Sequence, residues 1–214
     1  MKTLFSPIGS TDPIRGGHDG AMLHICRYYK PDKVYLYLTG EMSADDKIQR
    51  VTYCFDQLQK LLDHPMEYQV ISRKDFWEVQ NFDTFAKEFD KILDEIRQND
   101  NPDTLYVNVS SGTPAMKSAL LLMSILSDGQ VIPLQVSTPM KRMNIRMVQS
   151  DLDMSAEELW KSNLDNNSTA ESRVSVATSQ NWEKIIRQKT LKQLKDNNHK
   201  EIAAELAEVW HMSE

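Results

Sequence analysis

The stretch Ser110-Ser111-Gly112-Thr113-Pro114 is the part of this sequence best suited to hold an anion. Thr113 is a good helix cap, and Pro114 fits the first helical position, where the N–H it lacks would go unpaired anyway. Free N–H groups at such a start, together with the helix dipole, favour a phosphate. Three hydroxyls add neutral donors. Lys117 lies in the first turn of the same helix, and Arg15, Lys141 and Arg142 stand in loops that a parallel sheet would bring to one edge. The same five residues also make an ordinary capping turn, and alone they leave both readings open. Sharper motifs are missing. No Gly-x-x-x-x-Gly-Lys-Ser/Thr run occurs, and Gly16-Gly17-His18-Asp19-Gly20 does not fit Gly-x-Gly-x-x-Gly, so ATP hydrolysis and dinucleotide chemistry lose support. His24 and Cys26 are too few and too close together for a zinc site, and with Cys54 they read as packing residues; no metal is expected. His18 reads as a surface histidine or a ligand contact. Phe76-Trp77 could stack on a base or form a satellite hydrophobic contact.

These residues need a scaffold. Blocks rich in β-branched and aromatic residues recur at Thr3–Ile8, Lys33–Thr39, Glu67–Ser72, Thr104–Val109 and Gln130–Val136. Between them lie helical stripes: Ile48, Val51, Phe55, Leu58 and Leu62, then Phe82, Phe85, Phe89, Ile92, Leu93 and Ile96. Pro31, Pro65 and Pro102 each separate a helix from the next strand, 34 and 37 residues apart, a spacing that suits β-α-β units. The fold class is therefore α/β: a doubly wound, Rossmann-like sheet, mostly parallel. With the common order 3-2-1-4-5, strands one and four flank the crevice where such sheets bind ligands. The loops Gly9-Ser10-Thr11-Asp12-Pro13 and Ser110–Thr113 would then face each other. Four of the seven glycines fall between Gly9 and Gly20, in the first of these loops.

The helix predicted at Ala115–Leu126 is apolar on nearly every side, as for one buried all round under the sheet or in a subunit interface. The connection to Asn144–Val148 is too short for a parallel crossover, so an antiparallel edge strand is expected there. Residues 1–150 make the predicted ligand domain and 151–180 a polar linker with a short helix around Ala156–Ser162. Residues 181–214 form a helical segment that looks like the start of a further domain. The chain has 214 residues with 25 basic and 31 acidic side chains, a net charge of −6. That balance argues against coating duplex DNA or an anionic membrane. No apolar run approaches the ~20 residues of a spanning helix, and no signal peptide is evident, so a soluble, cytoplasmic protein is expected.

Three segments together resemble one family: Ser6-Pro7-Ile8-Gly9-Ser10-Thr11-Asp12-Pro13, Asp19-Gly20-Ala21-Met22-Leu23-His24, and Asn108-Val109-Ser110-Ser111-Gly112-Thr113-Pro114-Ala115-Met116. They are similar to the sensor domain of the type III CRISPR-associated ancillary ribonucleases, in which a CRISPR-associated Rossmann-fold (CARF) domain precedes a HEPN ribonuclease. The resemblance spans about residues 1–150 and looks closest to streptococcal and enterococcal type III-A members. It implies a homodimer that binds a cyclic oligoadenylate, cyclic hexa-adenylate, across its two-fold axis, one protomer meeting each half of the symmetric ring. It also implies Gly9, Ser10, Thr11, Asp12, Arg15, Ser110, Ser111, Gly112, Thr113, Pro114, Lys117 and Lys141 as ligand contacts. Thr113 is the candidate catalytic residue for slow, metal-independent cleavage of the ring.

One departure stands out. HEPN centres carry Arg-x4-6-His, and none of His18, His24, His64, His199 and His211 has an arginine five to seven positions before it. The chain is expected to be a sensor-domain fragment or a naturally short relative. Two other readings compete: a ligand-responsive transcription regulator of the same fold, and an unrelated mononucleotide-binding enzyme.

Overall fold

The computed structural model describes residues 1–127, 129–139, 151, 153–167, 169–177 and 180–211. Strand β1 (Lys2–Pro7) leads into a small hairpin, β2 (Ile14–Arg15) and β3 (His18–Asp19), and then into α1 (Ala21–Tyr29). Strand–helix pairs follow: β4 (Lys33–Thr39) with α2 (Asp45–Leu62), β5 (Glu67–Arg73) with α3 (Phe82–Asp100), and β6 (Thr104–Asn108) with α4 (Pro114–Leu126). Then come β7 (Val131–Val136), α5 (Ala156–Lys161), β8 (Val174–Val176), α6 (Gln180–Asp196) and α7 (Lys200–Val209).

The sheet runs β5-β4-β1-β6-β7-β8. All neighbours are parallel except β7 and β8. The doubly wound, mostly parallel sheet with an antiparallel edge strand is the fold read from the sequence. The edge strand found is Val174–Val176; the one expected at 144–148 lies outside the described residues.

Strand alternation builds two cores, one on each face of the sheet. Leu4, Val34, Leu36 and Leu38 pack with Val51, Phe55 and Leu58 of α2. Phe5, Tyr35 and Tyr37 point the other way, against Phe85, Phe89 and Ile92 of α3. Cys54 and Cys26 are fully buried, as packing residues should be, and burial pushes the Cys54 thiol up to about 12. The first three long helices end alike. Lys30, Asp63 and Asn101 adopt left-handed φ of 45°, 47° and 42°, and Pro31, Pro65 and Pro102 follow within two residues. A left-handed residue closes the last turn and proline prevents its continuation.

Among the described residues α4 is covered on one side, so of the two expected settings burial all round under the sheet does not hold. Ala115, Met116, Ala119 and Leu120 are buried, but Leu121, Leu122, Met123 and Ile125 are half-buried and Leu126 is exposed. One side packs on α3 and the sheet, and the described residues cover little of the other.

The chain divides into two compact units, Met1–Ala177 and Thr178–Glu214. The polar stretch 151–177 belongs to the first, carrying α5, a 3-10 turn at Leu164–Asn166 and β8. The second is the pair α6 and α7, in which Ala203 is buried. Among the described residues no helix is long and apolar enough to cross a membrane.

Candidate ligand-binding site

Because β1 lies between β4 and β6, the loops that leave these three strands emerge side by side. The two loops chosen from the sequence meet there. Asp12 joins them: its carboxylate accepts the N–H of Gly9 at 3.0 Å, the N–H of Met22 at 3.2 Å and the hydroxyl of Ser111 across the crevice. Burial raises the pKa of Asp12 above the ordinary carboxylate range, against the opposing pull of these three bonds. Gly9 is required by proximity. A Cβ there would lie 2.8 Å from the Gly112 nitrogen and 3.2 Å from Ser111 Oγ, so the two loops touch backbone to backbone.

Thr113 caps α4 as expected, its Oγ1 accepting the Met116 N–H at 3.3 Å. The same hydroxyl donates to the Val79 carbonyl at 2.6 Å, which ties the segment between β5 and α3 to the site. A cavity of ≈ 450 Å³ opens between these loops, lined by Gly9, Ser10, Gly112 and Thr113 with Gly40, Met42 and Trp77. A second of ≈ 260 Å³ adjoins it, sharing Ser10, Glu41 and Met42 and adding Asp12, Arg15, Lys47 and Arg50. Together they offer apolar and aromatic walls and glycine backbone, with Arg15, Lys47 and Arg50 interleaved with Asp12, Glu41 and Asp151 along the smaller one. A groove of ≈ 590 Å³ runs along α3 away from these loops, lined by Arg73, Lys87, Glu88, Lys91 and Glu95, with both signs of charge intermixed.

The Cas_Csm6 CARF domain family matches residues 67–174. The CRISPR system endoribonuclease Csm6 of Enterococcus italicus is 33% identical over 207 residues, covering 96% of this chain and 48% of that protein. The Csm6 of Mycobacterium tuberculosis is 33% identical over 192 residues, covering 89% and 45%. This chain belongs to the Csm6 CARF family. The solved structure of Enterococcus italicus Csm6 bound to cyclic hexa-2′-fluoro-hexa-dAMP aligns with it at a TM-score of 0.75 and 28% identity, covering 98% of this chain and 50% of that one. The chain thus spans about half the length of the relatives it matches. The resemblance read from the three motifs stands.

Within this CARF domain the predicted contacts divide. Gly9, Ser10, Gly112 and Thr113 line the larger cavity, and Ser10, Asp12 and Arg15 the smaller. Ser111 is buried beneath, bonded to Asp12. Ser110 turns toward β7, its Oγ accepting the Val136 N–H at 2.8 Å. Thr11, Pro114 and Lys117 line neither cavity, and Lys141 and Arg142 lie outside the described residues. Lys47 and Arg50 were missed because they sit on an amphipathic helix whose polar face reads as solvated. Trp77 lies in a loop whose side-chain direction the sequence does not give; the structure sets its indole against Gly40.

A buried ionic network backs the first loop of the CARF domain. Asp19 accepts from Arg27 Nε at 2.6 Å and Nη2 at 2.9 Å, from Asn163 Nδ2 at 2.7 Å, and faces His24 Nδ1 at 3.2 Å. Asp165 is bound by Arg173 and by the Asp19 N–H at 2.9 Å, and it faces His18 Nδ1 at 3.1 Å. Burial works against ionisation of both carboxylates, but hydrogen bonds from His24 and its neighbours outweigh it, and both are held below the usual range. Nε2 of His24 accepts the Arg173 N–H at 3.0 Å. Asp19, His24 and Asp165 offer ligand atoms within 4.8 Å of one another, the composition of a cation site, but Arg27 and Arg173 already occupy the carboxylates. The arrangement is two acids balanced by two guanidiniums. Asp151 adds a further tie, accepting the Gly16 N–H at 2.6 Å. None of these partners is legible locally, since Asp151, Asp165 and Arg173 stand more than 130 residues from the loop they hold.

Proposed function

We propose that this CARF domain is the sensor of a type III CRISPR antiviral system: a cytoplasmic homodimer that binds one cyclic oligoadenylate, cyclic hexa-adenylate, and so controls a HEPN ribonuclease. The observation that carries this reading is the alignment over 98% of the chain with a Csm6 that holds a cyclic hexanucleotide analogue. The crevice supports it, because Trp77 lines the larger of two adjoining cavities and Arg15 and Lys47 line the smaller. An acidic chain can still hold a polyanionic ring, because close-range donors act inside the ~8–10 Å over which salt screens the net charge.

The same site suits slow cleavage of the ring without a metal. The ribose 2′-oxygen would give up its proton and bond to the adjacent phosphorus. The bond from phosphorus to the 5′-oxygen would break, and that oxygen would take up a proton, leaving a 2′,3′-cyclic phosphate and a 5′-hydroxyl. The protein's part is in-line positioning and stabilisation of charge on the phosphorane. Thr113 is the residue proposed for both; its hydroxyl donates to the Val79 carbonyl and accepts the Met116 N–H. A phosphate oxygen would replace the Val79 carbonyl as acceptor.

The test is calorimetric titration with cyclic hexa-adenylate and cyclic tetra-adenylate, followed by chromatography of the ligand after incubation in chelator. The 2′-fluoro analogue serves as the non-cleavable control, since fluorine cannot attack phosphorus. We expect one hexa-adenylate ring per two chains and a cleaved product only from the ring with 2′-hydroxyls. If neither ring binds, the receptor reading falls.

A further inference from the structure

Two consecutive aromatic residues in the segment between β5 and α3 face opposite ways. Phe76 turns inward, its ring edge-on to Phe85 at 5.2 Å between centroids, in the core between α3 and the sheet. Trp77 turns outward and is 67% exposed. Its position is nevertheless defined. A Cβ on Gly40 would lie 3.2 Å from indole carbon Cε3 and 3.1 Å from the Phe76 carbonyl, so the indole lies close over a backbone that bears no side chain. Gly40 also has φ of +46°, a conformation that L side chains rarely adopt. The segment itself is pinned. The Phe76 N–H donates to the Arg73 carbonyl at 3.1 Å, the Val79 N–H to the Trp77 carbonyl at 2.8 Å, and Val79 accepts from Thr113 at 2.6 Å. One end of this strap is therefore held by the residue expected to meet the phosphate, and Trp77 forms a wall of the ≈ 450 Å³ cavity beside it.

We infer that Trp77 is a base-stacking platform of the site: it receives one purine base of the bound nucleotide on its indole, next to the phosphate held at Thr113. The residue types fit this role. The wall combines an aromatic plane with Met42 and Met116, polarisable thioethers suited to a flat π system, while Glu41 offers an acceptor for an exocyclic amine. Stacking on an indole needs no particular base, so Trp77 supplies affinity and Glu41 stands where an amino-substituted base can be read. This inference rests on the receptor reading above, and the test separates the two.

Tryptophan fluorescence is followed during titration with cyclic hexa-adenylate, adenosine monophosphate and ribose 5-phosphate, with free N-acetyltryptophanamide as the reference for unspecific quenching. Trp77→Phe and Trp77→Ala are compared with the wild type, their affinity for the ring being measured by calorimetry. Because Trp77 is mostly exposed, both variants should fold, and an unchanged circular dichroism spectrum checks this. We expect saturable quenching in the wild type, its loss in Trp77→Phe, and ring affinity weakened roughly 5- to 150-fold in Trp77→Ala but less in Trp77→Phe. If the ring binds and Trp77→Ala stays within twofold of wild type, or the quenching persists in Trp77→Phe, the platform is overturned while the receptor reading survives. If the ring does not bind but adenosine monophosphate quenches Trp77 saturably and ribose 5-phosphate does not, the platform stands and the receptor reading fails. If the ring binds without saturable quenching, the platform alone is overturned; if the ring does not bind and neither adenylate quenches saturably, both readings fall.

Discussion

Thr113 serves three neighbours with one hydroxyl and its backbone: it caps α4, ties down Val79 and borders the cavity. Thr113→Ala should therefore separate two effects. Loss of the cap costs about 1 kcal/mol of stability, read as a lower midpoint in thermal unfolding. Loss of the positioning hydroxyl should slow ring cleavage at least tenfold while the ring still binds, read by chromatography and calorimetry. Cleavage at the wild-type rate would remove Thr113 from the proposed role. Asp12 sits beneath, where three donors converge on a buried carboxylate. Asp12→Ala leaves those donors without a partner, and with hydrogen bonds to charged groups worth about 1.5–3 kcal/mol each, at least 2 kcal/mol should be lost in denaturant unfolding. The motif around both residues was legible in the sequence. That Ser111 bonds to Asp12 was not, because the two stand 99 positions apart and only the neighbouring of β1 and β6 joins them.

At the scale of elements, the packing of α3 on the sheet rests on an aromatic cluster centred on Phe89. Its ring lies 5.2 Å from Phe5, 5.1 Å from Tyr37 and 5.3 Å from Phe85. Phe89→Ala should cost about 3–5 kcal/mol, measured as a fall in the denaturant midpoint. The period of α3 made this face readable in advance, since Phe85, Phe89, Ile92, Leu93 and Ile96 are all buried. The ionic network was not readable. It joins β3, α1, the turn at Leu164–Asn166 and the start of β8 through charges that look like a polar linker one residue at a time. Its pH dependence follows from depressed folded-state values at Asp19 and Asp165. The folded state holds fewer protons there than the unfolded chain, whose carboxylates titrate near ~3.9, so this stabilisation is present above about pH 4 and lost as pH falls below it. Asp12 acts in reverse: its raised value weakens the fold as pH rises through the range above ~3.9. Asp165→Asn should flatten the acid limb of a stability–pH curve below pH 4, by circular dichroism, and an unchanged limb would show that other carboxylates govern it.

For the whole molecule, α4 decides what to test. Its apolar sequence exceeds what its own chain covers, leaving Leu126 exposed and Leu122, Met123 and Ile125 half-buried. We propose that surface as the seat of the homodimer. Sedimentation should report two chains per particle, and Leu126→Arg should shift the particle toward one chain while thermal stability changes by no more than about 0.5 kcal/mol, as for an exposed site. A monomeric wild type would remove the dimer from the proposal.

The sequence by itself determined the fold class and, once the common strand order of that class is taken, the two loops that meet. Each follows from local regularities: blocks of β-branched and aromatic residues, period-3.6 helical stripes and helix stops at proline. Motif matching added the CARF family from the residues of those same loops. Tertiary structure alone decided which side chains share the crevice. It set Trp77 on Gly40, turned Ser110 away and Ser111 under Asp12, and recruited Asp165 and Arg173 to hold the first loop. The reason is physical. Hydrophobic pattern is written along the chain at short range, whereas hydrogen bonds and ion pairs between distant residues depend on where the sheet order places them.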